Sequence, residues 1–165
     1  NYAYFPNEKT YMNAGFSAMH VNRPRESFFN PQPGIDNRIP IRYVGFLNGS
    51  FMVNNQWIIN PNAYYTIQAK SSELVLGMNA HYNLSGDGDN VLIGGLYFRS
   101  GDAIIPLIGL GYKDLAFTFT YDATISTLKN ENNTRVAVEC SLIKQGTVDK
   151  YMGNRRQSMC PSFKN

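Results

Sequence analysis

The feature that most restricts this chain is an alternation of apolar and polar side chains, sustained over segments longer than ordinary strands. In Leu115–Tyr121 the odd positions Leu115, Phe117, Phe119 and Tyr121 are apolar, with Thr118 and Thr120 between them. From Glu73 to Leu84 the apolar set is even: Leu74, Leu76, Met78, Ala80, Tyr82 and Leu84 alternate with Glu73, Asn79, His81 and Asn83. Val136, Val138, Cys140 and Leu142 repeat the pattern near the end. A period of two places successive side chains on opposite faces of an extended strand. Eight strands are predicted, near 11–21, 41–53, 57–68, 73–84, 90–99, 103–112, 115–124 and 135–143. Most run about nine to thirteen residues, against about five or six in soluble proteins.

Turn lengths test whether these strands form one meander, because residues directly opposed in a hairpin share a face. Val53 can pair with Trp57 across Asn54–Gln56, which keeps odd positions apolar on both strands. A two-residue turn at Lys70–Ser71 switches the apolar set to even. The Ser100–Asp102 turn keeps it even, with Phe98 opposite Ile104, and a turn at Lys113–Asp114 switches it back to odd. The fold class is therefore all-β, an antiparallel up-and-down sheet with one continuous apolar face. The other face carries Asn48, Ser50, Asn60, Asn62, Thr66, Gln68, Asn79, His81, Arg99, Thr118, Thr120 and Glu139, interrupted by Ile105 and Leu107.

Alternation alone does not say whether the apolar face meets lipid or a protein core. The strand lengths match the roughly nine to eleven residues needed to cross a bilayer. No helix is available to cover the sheet, and Tyr43, Trp57, Tyr65, Tyr82, Tyr112 and Tyr121 lie on the apolar face, where they can form interfacial girdles. These features favour a transmembrane β-barrel. A soluble β-sandwich or a lipocalin-like barrel is the alternative. The uncharged stretch Tyr43–Ala69 is long enough for a membrane helix, but its asparagines, with Gly and Pro among them, argue against one.

Fifteen Lys and Arg against twelve Asp and Glu leave a formal charge of +3, too small and dispersed for a nucleic-acid footprint. The 165 residues suffice for one sizeable core; eleven Tyr and ten Phe exclude disorder, and two Cys exclude a disulfide-stapled miniprotein. Residue 1 is Asn, and no signal peptide is visible. The Gly86–Asn90 segment resembles the start of a calcium loop but lacks the terminal bidentate Glu, and a turn explains it better. His20 and His81 have no second ligand at metal spacing. Glu73, Asp122 and Glu139 are not placed together as an acid–base pair, and no phosphate loop or nucleophile motif occurs. No catalytic, metal or cofactor site is expected.

Residues 1–146 read as barrel, and 147–165 as a basic tail ending in Cys160-Pro-Ser-Phe163. The tail is either a frayed terminus or a docking peptide anchored by Phe163. Cys140 falls on the apolar face, and a bridge from it to Cys160 is disfavoured. With the C-terminus periplasmic, the turns near 54–56, 85–89 and 113–114 share its side. The connections 22–40, 69–72, 100–102 and 125–134 then lie outside, where outer-membrane barrels carry their longer loops.

Four segments, in order, resemble one family. Arg99-Ser-Gly-Asp-Ala-Ile-Ile-Pro-Leu-Ile-Gly-Leu110 is similar to the arginine-x-glycine-aspartate-alanine hairpin of the PorP/SprF family of type IX secretion proteins. Tyr121-Asp-Ala-Thr-Ile-Ser-Thr-Leu128 resembles its tyrosine-aspartate segment. Asn48-Gly-Ser-Phe51 with Trp57-Ile-Ile-Asn-Pro61 resembles its glycine-aromatic strand and tryptophan turn, and Cys160-Pro-Ser-Phe163 its cysteine-proline-x-phenylalanine ending. The resemblance implies a non-enzymatic outer-membrane barrel of about fourteen strands, of which this chain holds the C-terminal part. It implies a role in export or surface anchoring of large secreted proteins such as gliding adhesins, without a cofactor. Expected partners are the C-terminal domain of a secreted cargo protein, other periplasmic and outer-membrane type IX components, and outer-membrane lipid. Expected contacts are loop residues Arg23, Arg25, Phe28 and Phe29, interior residues His81 and Arg99, and tail residues Arg155, Arg156, Cys160 and Phe163. A porin-like channel for small solutes is the alternative, and Ile105 and Leu107 facing inward argue against an open one.

Overall fold

A computed structural model describes residues 1–26, 37–125 and 137–144. Nine strands form a single antiparallel sheet in sequence order: β1 (Tyr2–Asn7), β2 (Thr10–Met19), β3 (Arg42–Met52), β4 (Trp57–Gln68), β5 (Ser71–Asn83), β6 (Asn90–Arg99), β7 (Ala103–Tyr112), β8 (Leu115–Thr124) and β9 (Ala137–Lys144). There is no helix among the described residues. β1 and β9 are the two edges, so over these residues the sheet is open.

The expected meander is present, with three corrections. β1 is a ninth strand that alternation does not announce, because Pro6 interrupts it and the register shifts between Tyr4 and Asn7. β2 stops at Met19 rather than residue 21, because His20 takes a left-handed backbone (φ 56°). The β4–β5 turn falls at Ala69–Lys70, one residue early: Ala69 is left-handed (φ 54°), and Gln68 opposes Ser71. That slip moves the register by two residues and leaves every side chain on its expected face. The other turns pair as the parity argument requires, with Phe98 opposite Ile104, Tyr112 opposite Leu115, and Val53 N–H donating to Trp57 O at 3.0 Å.

Burial separates the two faces in the reverse of the usual sense. On β6 beyond Asn90, and on β7 and β8, the exposed residues are the apolar ones, including Leu96 at 57%, Ile108 at 59% and Phe117 at 49%. The intervening residues of the polar face are half-buried or buried. A flat single-layer sheet would shelter neither face, so this one curls around its polar side. The four buried apolar residues, Val44, Ile58, Ile93 and Ala103, all stand on that sheltered side among the polar groups. The outward apolar residues continue across register from Leu76 through Phe98 and Ile104, and from Ile108 through Phe119 to Cys140. A contiguous apolar surface of this extent is foreign to a water-soluble monomer. It is the surface a bilayer solvates.

The girdle residues fall into two belts. Tyr43, Tyr65 and Tyr121 lie toward the rim carrying the long connections, with Phe16 stacked on Tyr43 at 6.0 Å. Trp57, Tyr82 and Tyr112 lie at the opposite rim, with Trp57 and Tyr82 directly opposed and their rings 4.7 Å apart. On β4 the belts are separated by the eight steps from Trp57 to Tyr65, about 26 Å along the strand. Strands tilted by about 40° project that spacing to about 20 Å across the membrane, somewhat less than the apolar band of about 25 Å in membrane barrels.

Phe119 stands at the middle of β8, between Ile108 and Cys140 on the outward face. Phe119→Arg is expected to destabilise the membrane-inserted form by about 2–4 kcal/mol, whereas Thr120→Arg on the sheltered face costs less. Urea titration in bilayers with heat-modifiable electrophoresis checks this, and equal costs would reverse the face assignment.

Candidate functional site

The sheltered face is the candidate site, and its registers decide which groups meet. Near mid-strand, Asn60 on β4 opposes Asn79 on β5. Asn60 Nδ2 donates to Asn79 Oδ1 at 2.8 Å, and Asn79 Nδ2 donates to the Tyr97 hydroxyl at 2.8 Å. One level over, Asn13, Asn48 and Asn62 follow one another across β2, β3 and β4. Asn62 Nδ2 donates to the Asn60 carbonyl at 2.9 Å, beside the rung that Pro61 cannot supply. Asn13 Oδ1 is buried with no hydrogen-bond partner among the described residues, at a cost of about 1–3 kcal/mol.

Two aromatic rings lie down on this face because glycines leave room. Phe46 covers Gly15 directly across β2–β3, and Tyr97 covers Gly77 across β5–β6. A Cβ at either glycine would collide with the ring. Together with Asn48, Asn62, Tyr64 and Val75, the two rings line a concavity of about 400 Å³.

Toward the rim with the long connections, Arg99 pairs with two carboxylates. Its Nη1 lies 3.0 Å from Asp102 Oδ2 and 3.1 Å from Asp122 Oδ2. Gly101 supplies the left-handed residue (φ 73°) that folds the turn between Arg99 and Asp102. Ala103, opposite Arg99, is wholly buried, where a larger side chain would not fit. The turn is held on both flanks: Ser100 N–H donates to Leu74 O at 2.8 Å, and Ile125 N–H donates to Asp102 O at 2.7 Å. The arginine-x-glycine-aspartate-alanine hairpin and the tyrosine-aspartate segment, separate in the sequence, therefore meet in one ion cluster.

The other expected contact residues are dispersed. His81 is on the sheltered face between Ile58 and Ile93, but six steps from the level of Arg99, about 20 Å along β5. Arg23 and Arg25 are exposed in the β2–β3 connection, where Arg25 forms an isolated bridge with Arg38. Phe28, Phe29, Arg155, Arg156, Cys160 and Phe163 lie outside the described residues. Cys140 is exposed on the outward face. The Gly86–Asn90 segment is a turn organised by Asn83, whose Oδ1 accepts from the N–H groups of Gly86 at 3.0 Å and Gly88 at 3.2 Å. Alternation placed Asn60 and Asn79 on this face, but it missed Arg42, Tyr64 and Tyr97 as members of the site. Their contacts join residues about twenty positions apart and need the register to be seen.

Asp122→Asn and Arg99→Gln are each expected to loosen the β6–β7 turn. A double-mutant cycle should give a coupling of about 0.5–1 kcal/mol, because these side chains remain partly solvated. Additive effects in urea titration would show that the ion pair contributes nothing.

No curated protein and no solved structure matches the chain significantly. A family model described as "Type IX secretion system membrane protein PorP/SprF" matches residues 3–142, which span β1 to the middle of β9 and contain the whole ion cluster. With the outward apolar sheet, its two aromatic belts and the Arg99–Asp102–Asp122 cluster in place, the chain belongs to the PorP/SprF family of type IX secretion system membrane proteins.

Proposed function

We propose that the chain is a non-enzymatic outer-membrane component that assists export or surface anchoring of particular large secreted proteins, such as adhesins, by binding their C-terminal domains. The observation that carries this reading is the family match over residues 3–142. The sheltered face supports it, since Arg99 is engaged by two carboxylates and Asn79 by Asn60 and Tyr97. Such wiring suits a wall that positions a polypeptide more than a site that moves protons.

In this reading the outward face meets outer-membrane lipid, and the barrel of the family, about fourteen strands, supplies partners for the edges β1 and β9. Two connections, 20–41 and 125–136, share one rim, which we assign to the cell surface; Arg23, Arg25, Phe28 and Phe29 meet cargo there. His81 and Arg99 line the cargo path. β9 ends at Lys144 on the opposite rim, and in the tail that follows Arg155, Arg156, Cys160 and Phe163 dock on periplasmic secretion components.

Purification in detergent from native outer membrane should recover the protein with a large secreted protein bound, and recovery in buffer without detergent would overturn the membrane assignment. Phe163→Ala should retain heat-modifiable migration while losing co-purifying periplasmic components. Unchanged co-purification would remove the tail from the docking surface.

A further inference from the structure

Arg42 opens β3 on the sheltered face, and its hydrogen bonds among the described residues use one edge of its guanidinium. Nε donates to Thr66 Oγ1 at 3.0 Å, and Nη2 donates to the Tyr64 hydroxyl at 3.2 Å. Thr66 is fixed in turn by donating to the Tyr43 carbonyl at 3.1 Å. Nε and Nη2 share one edge of the planar fork, so among the described residues the edge formed by Nη1 and Nη2 is left without an acceptor. Arg99 on the same face meets two carboxylates, whereas Arg42 meets none among the described residues. Glu73 stands opposite Thr66 on β5 and makes no ion pair with Arg42.

The neighbouring hollow is apolar in character. It is the concavity of about 400 Å³ between Phe46, Tyr64, Val75 and Tyr97, flanked by the amides of Asn48 and Asn62. Tyr64 belongs to both features, as its ring lines the hollow and its hydroxyl holds Arg42.

We propose that Arg42 and this hollow receive the end of an exported polypeptide, with its terminal carboxylate on the free edge of the guanidinium and its last apolar side chain in the hollow. The inference rests on the secretion reading above and supplies its contact chemistry. Two parallel N–H groups match the two oxygens of a carboxylate. A chain end carries its carboxylate and an apolar side chain on a single Cα, as a cation bordering an apolar hollow requires. An internal Asp or Glu brings the charge without the apolar group.

The test uses the full chain in detergent and a fluorescent Gly-Ser-Gly-Leu peptide, prepared as free acid and as C-terminal amide. The wild type is expected to bind the acid about tenfold more tightly than the amide. Arg42→Gln should abolish that preference, and Arg42→Lys, which keeps the charge without the fork, should retain only part of it. Val75→Trp, which fills the hollow with Arg42 intact, should weaken both forms, while Glu73→Gln should leave the preference in place. Heat-modifiable migration checks that each variant is folded. Equal binding of acid and amide by a wild type that still carries its exported protein overturns the carboxylate seat and leaves the secretion reading standing. An acid preference on a chain that carries no exported protein overturns that reading, and with it the identity of the occupant.

Discussion

The apolar side chains of this sheet point away from its concavity, and the rest of the molecule follows from that inversion. In water, a single layer showing Leu96, Ile108, Phe117 and Leu142 to solvent would collapse or associate. Against lipid the same residues cost nothing, and the free-energy problem moves to the other side. The sheltered face must then hold its polar groups without a dry protein core to orient them. Small apolar residues such as Val44, Ile93 and Ala103 fill the spaces between them.

The polar side meets this demand by pairing across strands. Asn60, Asn79 and Tyr97 form a chain of two hydrogen bonds over three strands, and Arg99 gathers carboxylates from a turn and from β8. Each contact is worth about 1 kcal/mol or less in net terms, because the face stays partly wet. Their larger effect is on specificity of register, since a slip by one residue would send every one of these groups into lipid. Phe46 over Gly15 and Tyr97 over Gly77 act in the same direction, as each ring fits only where a glycine stands directly opposite.

Much of this was legible in the sequence because the period of a strand and the length of a turn are both local. The parity of Phe98–Ile104 and Tyr112–Leu115 followed from counting, as did the placement of the six belt aromatics. What counting missed has physical causes. β1 was hidden by Pro6 and a register shift, and the Ala69–Lys70 turn depended on which residue would accept a left-handed backbone. Ala69 is a poor candidate by composition, lacking the freedom of Gly or the local hydrogen bonds of Asn. The site was legible only as a face. That Arg99 reaches Asp122, or that Arg42 leans on Tyr64, depends on side chains spanning strands 22 or 23 positions apart, which no spacing rule encodes. The tail and the loop phenylalanines lie outside the described residues, so their roles rest on the family resemblance and on the proposals built upon it.

Pro61 and Pro106 give the sheet a further property. Each lies in the interior of a strand, and each breaks the ladder on one side only: Pro61 toward β3, Pro106 toward β8. Their other sides are continuous, and the ladders from β4 through β7 run without a gap. The interruptions therefore fall on the two borders of a continuous four-stranded panel. Asn60, Asn79, Tyr64 and Tyr97 stand together on the panel, while Arg42 and Asp122 reach onto it from across the interrupted ladders. At each border the rungs that a proline leaves open are accompanied by a side-chain bridge, arginine to tyrosine on one side and arginine to aspartate on the other, so the contacts between side chains supplement the backbone where its ladder is incomplete.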